Sequence, residues 1–124
     1  MEKIRCFEDL NVWKKSHELS LLIYKITKGF PGEEKFGLIS QMRRAAVSVS
    51  ANISEGFKRR GIKDKINFYN TSQSSLAELQ NYIILVRDLK YIDSGTLDKI
   101  KPYIEEIGKM LNGLISATEF NPNF

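Results

Sequence analysis

Apolar residues return every third or fourth position in four separate stretches of this chain, and strict two-residue alternation is nowhere sustained. The first spacing belongs to a helix that buries one face, the second to a half-buried strand. The pattern therefore predicts an all-α protein with helices over about 9–28, 34–60, 63–91 and 95–117. Gly29, Pro31 and Gly32 close the first helix, and Glu33 and Glu34 suit the positive start of the second. Gly61 is the expected C-terminal stop of the second, and an Asp93-Ser94-Gly95 turn precedes the fourth. Pro102 falls inside the fourth helix, where its missing N–H is expected to kink it. The segment 119–124 contains Pro122 and is expected to fray. Long helices joined by short links become antiparallel neighbours, so the expected fold is an antiparallel up-down-up-down four-helix bundle, one domain over 1–124.

Three of the helices show one apolar stripe each. In the second it runs through Leu38, Met42, Ala45, Ala46, Val49, Ile53 and Phe57; in the third through Phe68, Tyr69, Ser72, Leu76, Leu79, Ile83 and Val86. Leu97, Ile100, Ile104, Ile107, Leu111 and Leu114 or Ile115 serve the fourth. The first helix is too apolar for a single stripe. At about 100° per residue, Val12, Leu19, Leu22, Ile23 and Ile26 share one face. Leu10, Trp13, Leu21 and Tyr24 share a second, with His17 beside them. Ser16, Ser20 and Thr27 lie between the two. A second apolar face carrying Trp and Tyr suits an interface, so self-association through this helix is expected; one wide core covering both faces is the alternative.

Two polar features lie on the second helix. Gln41, Arg44, Ser48, Asn52, Glu55 and Arg59 follow one another at steps of three or four, a line along one edge of the apolar face, with Arg43 on the opposite border. Such a line either hydrogen-bonds across a helix or subunit seam or presents Arg44 and Asn52 to a ligand. Glu55 opposes phosphate and lies within reach of Arg59, which favours the seam, with Arg44 and Glu55 as partly buried members. Beyond it, Lys58, Arg59, Arg60, Lys63 and Lys65 crowd around Gly61, opposed by Asp64. Cations suit a helix C-terminus, and they also displace counterions from nucleic acid. With only Phe57 and Phe68 near them in sequence, they point to phosphate contact rather than base reading.

Charge supports this modestly. The net charge of the 124 residues is +4, and residues 1–65 carry 14 Lys and Arg against 8 Asp and Glu, so the first half is basic and the second slightly acidic. The single cysteine, Cys6, excludes an internal disulfide. The first residues lack the apolar core of a signal peptide, and no run is long enough to span a membrane, so a cytoplasmic protein without membrane contact is expected. There is no glycine-rich phosphate loop, no metal-ligand spacing and no nucleophile elbow. His17, the only histidine, has no partners of the right type, and Glu33-Glu34 and Glu105-Glu106 diverge on a helix. No enzyme activity, cofactor or metal is expected.

The segments FEDLNVWKKSHEL (7–19), FPGEEKFGLISQMRRAAVSVSANISEG (30–56) and SSLAEL (74–79) resemble the 23S rRNA-intervening-sequence protein family, also called the four-helix bundle protein family. The likeness covers about 7–117, with Ser54 where the family usually has Ala and Ser74 where it usually has Gly. It implies a four-helix bundle and homo-oligomers, commonly ring-shaped pentamers. Some members are encoded within insertions in large-subunit rRNA genes. Relatives act as accessory proteins of diversity-generating retroelements, where a basic oligomer binds nucleic acid and reverse transcriptase. The signature positions it implies here are Gln41, Arg43, Arg44, Asn52, Glu55, Gly56, Ser75 and Glu78. The expected function is thus a non-enzymatic, oligomer-forming bundle that binds RNA or DNA through phosphates; the alternative is a protein-binding adaptor that touches no nucleic acid.

Overall fold

A computed structural model describes residues 3–124. Four α-helices carry the structure: α1 (Asn11–Thr27), α2 (Leu38–Lys58), α3 (Ile62–Asp88) and α4 (Ser94–Phe120), with short 3-10 turns at Phe7–Asp9 and Gly32–Glu34. Among the described residues there is no strand. Each helix packs on two others, α1 on α2 and α4, and α3 on the same pair, which closes a ring around one core. Cross-contacts fix the directions. Arg44 meets Glu78, Ser48 meets Ser75 at 2.7 Å, and Ser72 donates to the Val49 carbonyl at 2.6 Å, so α2 and α3 run in opposite senses. The other seams follow the same sense. On α1 and α4 Lys15 meets Glu106 while Val12 lies beside Leu114, and on α3 and α4 Gln73 meets Asn112 while Arg87 lies beside Leu97. On α1 and α2 Thr27 meets Arg43 while Phe7, just before α1, lies under Lys58. The bundle is up-down-up-down.

Helix boundaries depart from the sequence reading where glycine or capping chemistry intervenes. The second helix begins at Leu38 rather than about 34, because Gly37 takes a non-helical conformation and serves as its N-cap. It ends at Lys58, where Arg59 turns extended. Gly61 is not a left-handed stop; its φ of −83° is extended, and it opens α3 one residue earlier than expected. The left-handed residue is Lys90, φ 64°, which ends the third helix short of Tyr91. There the Tyr91 N–H reaches the Val86 carbonyl at 2.9 Å, the wrap that closes a helix with a left-handed residue. Asp93 caps α4 by accepting the Thr96 N–H at 2.7 Å. That helix continues without a break through Pro102 and on to Phe120. The helix thus runs three residues past its expected end, and beyond it the Tyr69 hydroxyl donates to the carbonyl of Phe124, whose ring packs against the core.

The core uses the expected stripes of α2, α3 and α4 but takes more of α1 than its apolar residues alone. Ser16, Ser20 and Thr27 are buried. Their hydroxyls satisfy themselves by donating to carbonyls of Val12, Ser16 and Ile23, one turn back. Buried serines let α1 sit close to its neighbours, and the deepest contact in the molecule uses the same device. At Gly56 an added Cβ would lie 2.6 Å from Tyr69 Cε1 and 3.0 Å from Phe68 Cβ, so α2 and α3 touch there backbone to ring. Among the described residues no helix is long and apolar enough to cross a membrane.

Tyr69 is fully buried, and burial pushes its hydroxyl pKa far above the ordinary value of 10.0. The unfolded chain ionises this group near pH 10 while the folded one does not, so folding stability is intact below that pH and declines above it. The slope approaches about 1.4 kcal/mol per pH unit. Tyr91, also raised, first by burial and then by its hydrogen bond to Glu34, adds to the decline. Urea midpoints measured from pH 9 upward are expected to fall beyond pH 10, and Tyr69→Phe to flatten most of that fall.

Candidate nucleic-acid interface

The α2–α3 bend lies at one end of the bundle, together with the N-terminal segment and the end of α4. Arginine and lysine dominate it. Lys58, Arg59, Arg60 and Lys63 are all exposed there. Arg5 comes beside them: with Phe7 and Lys58 it lines a shallow cleft, and its own N–H is held by the Asp9 carboxylate at 2.8 Å. Sequence spacing did not reveal Arg5, because it joins the cluster only when α1 runs antiparallel to α2. Among the described residues the opposing acids include Glu8, Asp9, Asp64 and Glu55, the last engaged with Arg59 at 3.4 Å. That ion pair is the expected i,i+4 contact, and exposed as it is, it leaves Arg59 free to exchange partners.

Lys65 does not belong to the outward cluster. It is 3% exposed, and its ammonium donates to the carbonyls of Phe57 at 2.6 Å and Gly56 at 3.3 Å. One turn into α3, its side chain runs back under the bend to the end of α2. A helix C-terminus is a negative pole with unsatisfied carbonyls. Lys65 satisfies that of Phe57, shares that of Gly56 with the Arg59 N–H and offsets the pole, so the end keeps its positive character although a helix terminates there. Burial lowers the Lys65 pKa from its ordinary value.

The polar line of α2 builds the seam to α3 within one chain. Arg44 donates to the Gln41 side-chain oxygen at 3.1 Å and pairs with Glu78, which also receives the Tyr82 hydroxyl at 3.2 Å. Ser48 bonds Ser75, and Asn52 donates to Ser48 at 2.8 Å and 3.0 Å. Arg44 and Glu55 are exposed, not partly buried as expected; their partners, Glu78 and Arg59, sit at the solvent edge of the seam. An exposed pair of this kind contributes up to about 1 kcal/mol. Arg43 crosses to α1 instead: its Nε donates to Thr27 at 2.9 Å and its guanidinium lies over the Tyr24 ring at 4.5 Å.

The second face of α1 is only partly free. Leu10 is buried in the chain's own core, a correction to its place on that face, because the chain enters α1 there from the 3-10 turn. Trp13 is half-buried against Phe7, and the exposed His17 stacks on it at 5.0 Å. Leu21 and Tyr24 remain exposed, at 60% and 42%. Tyr24 continues into an open groove of about 750 Å³ that Phe36, Ile39 and Val47 also line. Phe36, 89% exposed, was absent from the sequence reading because it was placed inside a helix that starts two residues later.

A closed antiparallel bundle with a seam of short polar residues and one basic end defines a class of small all-helical protein. The chain belongs to the 23S rRNA-intervening sequence protein family, whose model matches residues 8–113. A crystal structure of a protein with unknown function from the S23 ribosomal protein family of Bacteroides thetaiotaomicron is 27% identical. The match covers 84% of this chain and 97% of that one, with a TM-score of 0.75. No curated protein matches the chain.

Proposed function

We propose that the protein is a non-enzymatic, self-associating helical bundle that binds RNA or DNA through phosphate contacts. One observation carries this reading: Lys58, Arg59, Arg60 and Lys63 stand exposed on one bend, above a lysine that masks the adjoining carbonyl pole. Phosphate contacts release counterions, with log K falling by about 0.9 per contact for each decade of salt. Four contacts then weaken binding by roughly 100-fold between about 50 and 200 mM salt. Fluorescence anisotropy on a labelled oligonucleotide reads this directly, and salt-independent or absent binding removes the proposal.

Self-association rests on Leu21, Tyr24, Phe36 and Val47, exposed apolar side chains flanking α1 and α2. Membership of the family supports an oligomer, a pentamer being the expected form. Light scattering on the purified protein tests it; a monomer at about 100 µM, a concentration that would populate even a complex held by only about 6 kcal/mol, argues against it. The same apolar patch favours a second reading, a cytoplasmic adaptor that binds another protein and no nucleic acid. A salt-insensitive complex with a protein partner, without oligonucleotide binding, would establish that reading.

A further inference from the structure

At the basic end a cation lies over each of three aromatic rings. Lys58 lies over Phe7 at 5.8 Å, Arg59 over Phe68 at 4.6 Å and Lys65 over Phe57 at 5.3 Å. All three rings are half-buried. Proteins that hold single strands combine a basic track with open aromatic faces on which successive bases stack, each base worth about 1–3 kcal/mol. Here two of those faces are occupied by Lys58 and Arg59, side chains that would approach the backbone, and the third by the inward Lys65. Phe120, 89% exposed at the end of α4, is the one strongly exposed ring at this end among the described residues, Trp13 and Phe124 being packed against the core, and one ring is no platform for a run of bases. What the surface offers is an array of point charges and guanidinium forks without a base-reading element.

Resting on the nucleic-acid reading above, we infer that the ligand is a double helix, held by its phosphates irrespective of sequence and of whether it is RNA or DNA. A duplex presents one charge per about 1.7 Å of axis and releases more counterion per contact than a single strand, about 0.9 against 0.7. For four contacts the difference amounts to about 0.8 decades at about 0.1 M salt, a roughly sixfold preference for the duplex. Base stacking works against that preference: one stacked base favours the single strand by about 5- to 150-fold, which cancels the duplex preference at the low end and reverses it above.

Anisotropy titrations of the full chain with a short RNA duplex, a DNA duplex of the same sequence and an oligouridine of the same length separate these cases. The expected result is that both duplexes bind within about threefold of each other and at least about fivefold tighter than oligouridine, and that Phe120→Ala changes no affinity by more than about twofold. Tighter binding of oligouridine, its loss in Phe120→Ala, or a gap between the two duplexes of about tenfold or more would overturn the inference. If no probe binds, the proposed function itself fails and this inference with it; if oligouridine alone binds, the function stands and only the duplex assignment falls.

Discussion

The variant carrying Lys58→Glu, Arg59→Glu, Arg60→Glu and Lys63→Glu loses nucleic-acid binding by about 1,000-fold or more at about 0.1 M salt. Four phosphate contacts, each worth about 0.9 decades relative to 1 M salt, set that figure, and reversal adds repulsion to the loss. Fold stability is expected to change modestly, because these side chains are exposed and what they lose among the described residues is the Arg59–Glu55 pair and the contacts of Lys58 with Phe7 and Arg59 with Phe68, each worth up to about 1 kcal/mol. Lys65→Met is the informative control. It removes the ammonium from the Gly56 and Phe57 carbonyls, so it lowers stability by about 1–3 kcal/mol and, by unmasking the carbonyl pole, weakens affinity far less than the fourfold charge reversal does. Anisotropy and urea titrations on both variants read the two quantities separately. Wild-type affinity in the charge-reversed protein, or a loss in a folded Lys65→Met protein as large as that of the charge reversal, would place the contact surface elsewhere.

Gly56→Val is expected to destabilise the bundle by roughly 3 kcal/mol or more. The first carbon alone would stand 2.6 Å and 2.9 Å from the Tyr69 ring, closer than carbon atoms pack. Overpacking of a core costs about 1–3 kcal/mol, and a branched side chain extends the clash. For Gly56→Ala the gain in helix propensity, up to about 1 kcal/mol, offsets part of that cost, so its loss is smaller. The clash is specific to the ring. Gly56→Ala combined with Tyr69→Leu should therefore show a favourable coupling of about 0.5–3 kcal/mol in a double-mutant cycle. Midpoint shifts in urea measure each term, and a Gly56→Val protein within about 0.5 kcal/mol of wild type would disprove the close approach.

Helix type, order and the main core stripes were legible in the sequence because burial in a bundle repeats at helical spacing. The α2 polar line was legible as a seam, since Ser48 and Arg44 found partners on α3. Three things were not. Ser16 and Ser20 read as polar border, yet each is buried because a hydroxyl can bond the turn before it. Lys65 read as one more cation, and nothing in its spacing distinguishes a lysine that folds back under a bend from one that points to water. Gly37 and Gly61 carry no signal separating a C-terminal stop from an N-cap; the conformation at each decides, and that comes from how the chain must turn to pack the next helix.

The anchoring of the α2–α3 connection from beneath has a consequence for how an encounter proceeds. Residues 59–61 are too few to wander, and with Lys65 tethering the preceding carbonyls the bend is already in its final shape. Ordering a loose loop on association forfeits conformational entropy, about 0.5–1.5 kcal/mol for each side chain immobilised. Here the backbone share of that penalty has been settled during folding. Only the outward side chains have freedom to lose, so a partner meets a posted array of charge.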